Sequence, residues 1–253
     1  MLMDIYIITL LFIAGLFLGM LYVIIGIKLP LKERCFTNVC DTCNDKYKVS
    51  ELIPLFSYVL SRGKCNHCKV KMSILIPILE VFTGLLFTMS YIKYGISYEM
   101  FIFLIISSLL IIVFVSDFKY FVIMDSPVVI ASILVLILKY IFFGFKTFII
   151  SLISGLLLFI FLLVIKLIGD KIFKTESLGG GDVKLLSFFG FVLGIRLGIV
   201  ALILGSFLAF PYAIYSTMSH DENEVPFGPF LVTGLLLTFT FMEPIRNFIQ
   251  ILF

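Results

Sequence analysis

The sequence predicts an all-α fold: a polytopic membrane helix bundle of about eight transmembrane helices with a small cytoplasmic zinc-knuckle loop domain. Three observations predict it. Hydrophobic residues are 61% and charged residues 14% of the 253-residue chain, whereas an ordinary soluble domain carries about 25% charged residues. The apolar residues fall into long runs of the kind that cross a bilayer. Four of the five cysteines form two Cys-x-x-Cys knuckles inside one long polar stretch. The net charge of +3 does not indicate a nucleic acid partner, because the basic residues are gathered in that stretch and not spread over a surface. Membrane lipid is the partner implied.

The first span covers residues 5–27. It lacks a basic segment before it and a small-residue cleavage site after it, and it is longer than the apolar core of a signal peptide, so it reads as a retained helix. Gly15 and Gly19 form a small-xxx-small pair on it, a sign of close helix packing. Residues 28–73 form the loop domain, and residues 74–253 the transmembrane core. Apolar runs there cover 74–92, 100–116, 127–145, 147–168, 183–195, 197–216 and 230–253. The run 183–195 is short for a crossing of about 20 residues. Joined to 197–216, however, it makes a helix of about 34 residues that overshoots the hydrocarbon by roughly 20 Å. Two helices with a tight turn at Gly194-Ile195-Arg196-Leu197-Gly198 are therefore expected. Lys139 lies near the outer end of its run, where its stem can snorkel.

Orientation follows from the loop 28–73, which holds nine Lys and Arg against four Asp and Glu. By the positive-inside rule it is cytoplasmic. Counting crossings then places the connections at 117–125, 170–182 and 217–229 on the same side. Two carboxylates, Asp117 and Asp182, thus come to the cytoplasmic ends of their helices together.

Their chemistry can be read from their types and places. Asp182 follows Gly179-Gly180-Gly181, and glycines let a substrate backbone approach a neighbouring carboxylate. Asp182 also suits a helix N-cap. Asp117 ends an apolar run, where the helix dipole disfavours a carboxylate, so capping does not account for it. Two carboxylates within hydrogen-bond reach cannot both ionise cheaply; they hold one shared proton and titrate as a unit. Such a pair suits general acid and base work on a peptide bond, which points to an intramembrane aspartyl protease. Asp125, before Ser126-Pro127, reads as a helix cap with a supporting role. Glu80 lies about 10 Å inside its helix, where a carboxylate is expensive unless paired or in a wet cavity. Both a salt bridge and a place in the wall of an active-site cavity fit it.

Cys40-Asp41-Thr42-Cys43 and Cys65-Asn66-His67-Cys68 are separated by 21 residues. Four thiolates at this spacing suit a closed tetrahedral zinc site, structural and not catalytic. Disulfides do not suit a cytoplasmic loop. Cys35 reads as a spare thiol, and His67 as a knuckle residue that leaves the fourth place to Cys68.

Taken together, these residues resemble the prepilin peptidases, or type IV leader peptidases, and look most like the late-competence enzymes of Gram-positive bacteria. The likeness runs almost end to end. It is carried by Leu29-Pro30, both knuckles, Glu51-Leu52-Ile53-Pro54-Leu55-Phe56-Ser57-Tyr58, Pro77-Ile78-Leu79-Glu80, Asp117 with Asp125, Gly179-Gly180-Gly181-Asp182-Val183-Lys184, and Pro226-Phe227-Gly228-Pro229. The family has a proline where this chain has Met124. The resemblance implies that Asp117 and Asp182 are catalytic, with Gly179, Gly181, Asp125, Glu80 and Lys184 supporting them. It implies substrates with a short basic leader and a hydrophobic N-terminal helix, cut at the cytoplasmic face of the cell membrane just after a glycine. Many members then methylate the new N-terminal amine with S-adenosylmethionine. No Gly-rich nucleotide fingerprint follows a strand in this chain, so that half rests on the resemblance alone. Gly-x-Gly-Asp also resembles the presenilin and signal-peptide-peptidase type of protease. A non-enzymatic adaptor built on the knuckle loop remains an alternative. A proton-coupled transporter using Glu80, Asp117 and Asp182 would call for midplane carboxylates and an internal repeat, and the sequence shows neither.

Overall fold

A computed structural model describes residues 2–32, 43, 54–65, 67–174, 178–219 and 225–252. Its elements are helical: α1 Leu2–Lys28, α2 Phe56–Leu60, α3 Leu75–Tyr94, α4 Tyr98–Tyr120, α5 Asp125–Phe173, α6 Gly180–Ser219, α7 Gly228–Thr240 and α8 Met242–Leu252. Among the described residues the β pairing is a bridge between Lys64 and Lys71. Among the described residues five helices are long and apolar enough to cross a membrane, and the bent pair α7–α8 makes a sixth candidate. The protein is a multi-pass membrane protein.

Two of the five are broken, and both breaks occur where separate spans are expected from the sequence. Gly144 in α5 (φ 79°, ψ −179°) and Gly194 in α6 (φ 78°, ψ −177°) leave helical geometry. A glycine accepts this left-handed φ without the steric cost that a Cβ brings. The chain separates into two compact units, Met1–Met100 and Phe101–Phe253.

Within the first unit α1 lies against α3 through the glycine pair noted in the sequence. A Cβ on Gly15 would lie 2.6 Å from the Cα of Gly84, and one on Gly19 would lie 2.9 Å from the Thr83 hydroxyl. In lipid, where apolar helices gain little by leaving their solvent, such close backbone approach supplies the dispersion contact that joins them. The second unit repeats the device. A Cβ on Gly190 would fall 2.5 Å from the Gly155 Cα, and one on Gly234 would fall 2.5 Å from the Gly205 nitrogen. Its core holds Phe188, Phe189, Leu185, Leu231 and Leu235, each without exposed surface. Several hydroxyls inside the helices are satisfied by the preceding turn, as in Ser132 to Val128 O and Thr238 to Gly234 O.

Two expectations need correction. The run 230–253 is not one helix: α7 and α8 meet at an angle of 79°. Pro244 explains the bend, because it lacks an amide hydrogen and its ring clashes with the carbonyl of residue 240 in a continuous helix, yet fits the first turn of a new one. Lys139 does not snorkel. Its Nζ donates to Ser151 Oγ at 2.8 Å and to Val192 O at 3.0 Å. That carbonyl lies in the last turn before the break at Gly194, where the helix can no longer satisfy it.

Candidate active site

Asp117 stands one turn from the end of α4 and is 5% exposed. The unfavourable helix terminus noted above is answered by a second helix. Asp117 Oδ2 accepts a hydrogen bond of 2.9 Å from the backbone N–H of Gly228, the first residue of α7, where unpaired amides and the dipole favour a carboxylate. Gly228 allows this approach: a Cβ there would lie 3.1 Å from Asp117 Oδ2 and 2.8 Å from Ile123 Cδ1.

Asp182 is in the first turn of α6 and 7% exposed. Its N–H donates to Gly179 O at 3.2 Å. A Cβ on Gly179 would meet its Oδ2 at 2.9 Å. Its Oδ1 is buried and has no hydrogen-bond partner among the described residues. The charges of Asp117 and Lys166 both act on the Asp182 carboxylate.

The two carboxylates line one cavity of about 500 Å³ within the second unit, inside the range of small-ligand sites. Its walls are Phe121, Val122 and Ile123 beyond α4, residues 178–182, and Val225 and Phe227 before α7. Phe121 has a left-handed backbone (φ 53°), and its N–H closes the end of α4 on Asp117 O at 2.9 Å. Non-glycine residues adopt that region at a cost of roughly 1 kcal/mol; here it turns the chain so that Val122 and Ile123 enter the wall. A cavity lined by two carboxylates, one of them held by a backbone amide, can bind a water or a carbonyl beside them.

The other residues singled out from the sequence divide into three groups. Lys184 Nζ contacts both oxygens of Asp125, at 2.7 and 2.6 Å, with side chains 49% and 60% exposed. This pair braces the starts of α5 and α6 outside the cavity wall. Glu80 is 4% exposed, and its Oε2 accepts a 2.7 Å bond from the Leu55 amide. Its partner among the described residues is therefore a backbone amide and not the basic group of a salt bridge; it ties the segment before α2 to α3. Cys43, Cys65 and Cys68 form the third group, their sulfurs all within 4.8 Å of one another. Cys40 lies outside the described residues, and His67 is not part of the cluster. A three-thiolate cluster around a buried Cys65 fits a zinc ion, whose Zn–S bonds of about 2.3 Å hold sulfurs at such separations. No strand–glycine–helix nucleotide unit occurs among the described residues, so S-adenosylmethionine is given no binding residues.

Three site residues have tasks that the sequence read alone does not assign: Gly228 as amide donor, Ile123 in the wall, and Lys166 on the Leu178 carbonyl. The Pro226-Phe227-Gly228-Pro229 motif marked the first of them without assigning it a task.

A membrane-spanning helical bundle with two carboxylates on one cavity defines the class. Residues 13–94 match the model of the bacterial peptidase A24 N-terminal domain, and residues 104–214 match that of the type IV leader peptidase family. A prepilin leader peptidase/N-methyltransferase of Bacillus subtilis is 30% identical over 95% of this chain and 96% of its own. Proteins of the same description from Vibrio cholerae and Neisseria gonorrhoeae are 26% and 29% identical, over 90% and 79% of this chain and 94% and 70% of theirs. The chain belongs to the type IV leader peptidase family. No solved structure matches it significantly.

Proposed function

We propose that this protein is a membrane aspartyl endopeptidase that removes the leader of prepilin-like proteins, with Asp117 and Asp182 as its catalytic pair. The observation that carries the reading is the shared cavity with both carboxylates buried on it. One carboxylate is ionised and takes a proton from a water as that water attacks the scissile carbonyl. The other is protonated and donates to the carbonyl oxygen. The tetrahedral diol then collapses, the C–N bond breaks, and the leaving amine takes a proton back from the pair. No covalent enzyme intermediate is needed.

Gly179 leaves room beside Asp182 Oδ2, Gly181 lets the start of α6 pack against Ile123, and the Asp125–Lys184 pair links two helix starts. Glu80 has a supporting role within its own unit, where it holds the segment before α2 through the Leu55 amide. On this reading the pair faces the cytoplasm of a cell membrane, on the side of the basic loop, and residues 74–253 contain the peptidase core. The zinc ion proposed for Cys40, Cys43, Cys65 and Cys68 stabilises the loop and takes no part in peptide cleavage. Substrates carry a basic leader followed by a hydrophobic helix that enters the bilayer beside the enzyme. Methylation of the new N-terminus, named in the relatives, is a second step proposed on that ground; transfer of labelled methyl from S-adenosylmethionine to cleaved product tests it.

Cleavage is tested by co-expression with a prepilin-like substrate from the same cell. Wild-type protein yields the size shift of leader removal. Asp117→Asn and Asp182→Asn each abolish it while still inserting and accumulating. Substantial processing by either variant at normal abundance would sink the assignment.

A further inference from the structure

Lys166 lies on the second half of α5, seven residues before its end at Phe173, so its Cα is about 10 Å inside the helix terminus. A lysine at such a place either snorkels to the interface or serves a buried partner. Here the ammonium is committed. Its Nζ donates to the Leu178 carbonyl at 2.7 Å, and its charge acts on Asp182. Leu178 is the residue immediately before Gly179-Gly180-Gly181-Asp182.

That turn is built of glycines and runs straight into the first residues of α6. The position of Gly180 faces open space, and glycine carries the largest backbone freedom of any residue. Among the described residues the turn is also restrained by the Asp182 N–H bond to Gly179 O, by the contact of Gly181 with Ile123 and by the helical bonding of α6, which begins at Gly180. An ionic donor on a carbonyl is roughly twice as strong as a neutral one, and the low-dielectric surroundings of the bundle strengthen it further.

We propose that Lys166 is a positioning residue for Asp182, fixing the glycine turn through the Leu178 carbonyl. The proposal rests on the catalytic assignment of Asp182 above. Lys166 acts through the turn and not through substrate, so its loss lowers kcat and leaves KM nearly unchanged.

The test compares Lys166→Met, Lys166→Gln and Lys166→Arg with Asp182→Asn, purified in detergent and assayed for leader removal at equal folded concentration. Lys166→Met is expected to lower kcat roughly 10- to 100-fold, the range that loss of one charge-assisted hydrogen bond corresponds to, with KM within about twofold. Lys166→Arg, which can still donate to the carbonyl, regains most of the rate. If Lys166→Met does not accumulate, Lys166→Gln, a neutral and shorter donor, is read by the same split of kcat and KM. Wild-type kcat in the Met or Gln variant, or a raised KM at unchanged kcat, overturns the proposal. If Asp182→Asn is inactive in that case, the catalytic pair stands without Lys166. Cleavage by Asp182→Asn overturns the pair and this proposal together.

Discussion

Gly180 and Gly181 are neighbours in sequence and opposites in surroundings, so alanine at each should give very different enzymes. A Cβ on Gly181 would lie 2.7 Å from Ile123 Cβ and 3.3 Å from Ile123 O. Carbon atoms settle at about 3.5–4.0 Å, so helix start and wall must part by roughly 1 Å. Asp182 is the next residue, and Ile123 also meets the position of a Gly228 Cβ at 2.8 Å, beside the amide that holds Asp117. The strain therefore reaches both carboxylates, and a 1 Å misplacement can cost about 100-fold in rate. A Cβ on Gly180 has no atom within 4 Å, and its φ lies outside the left-handed region. Alanine there also removes glycine's helix penalty of about 1 kcal/mol. Measured as kcat/KM at matched membrane abundance, Gly180→Ala should stay close to wild type. Gly181→Ala should fall about 100-fold, and Gly181→Val should be inactive. Equal activity in the Gly180 and Gly181 variants would mean that backbone approach at this turn does not shape the site.

Metal content and helix packing supply three further tests. Protein purified without chelator should contain about one zinc per chain by elemental analysis, and Cys43→Ser, Cys65→Ser or Cys68→Ser should lower its melting temperature more than its kcat. Lys139→Met should cost about 1.5–3 kcal/mol for a lost charged hydrogen bond, seen as easier thermal unfolding in detergent with KM unchanged; a neutral result would mean that the break at Gly194 needs no cation. Gly84→Leu should separate α1 from α3, because a Cβ there meets Phe12 O at 3.1 Å and the Phe12 ring at 3.0 Å. Overpacking of this kind costs about 1–3 kcal/mol, read as lower accumulation or faster proteolysis.

The helical spans were legible because the bilayer makes one demand on sequence, a long run of apolar side chains whose backbone bonds are satisfied internally. Gly194 was legible as a break by the same reasoning, since one unbroken helix there is too long for the membrane. The α7–α8 bend was not, because hydropathy averages over Pro244 and the four polar residues Glu243, Arg246, Asn247 and Gln250, whereas the turn depends on a single missing amide hydrogen.

At the site, Asp117, Asp182 and the glycines could be named from their types and neighbours, since a carboxylate at a span boundary is costly enough to need a reason. Their meeting on one cavity could not be read from spacing, because residues 65 apart are brought together by how whole helices pack. The same holds for the amide of Gly228 on Asp117, the Ile123 wall under Gly181 and Lys166 on Leu178 O. Backbone groups look alike in every sequence, and a lysine in an apolar run looks the same whether it snorkels or binds. Local composition therefore set which segments enter the membrane and which carboxylates they carry, while partner choice awaited the packed bundle, where a single ångström decides which donor reaches which oxygen.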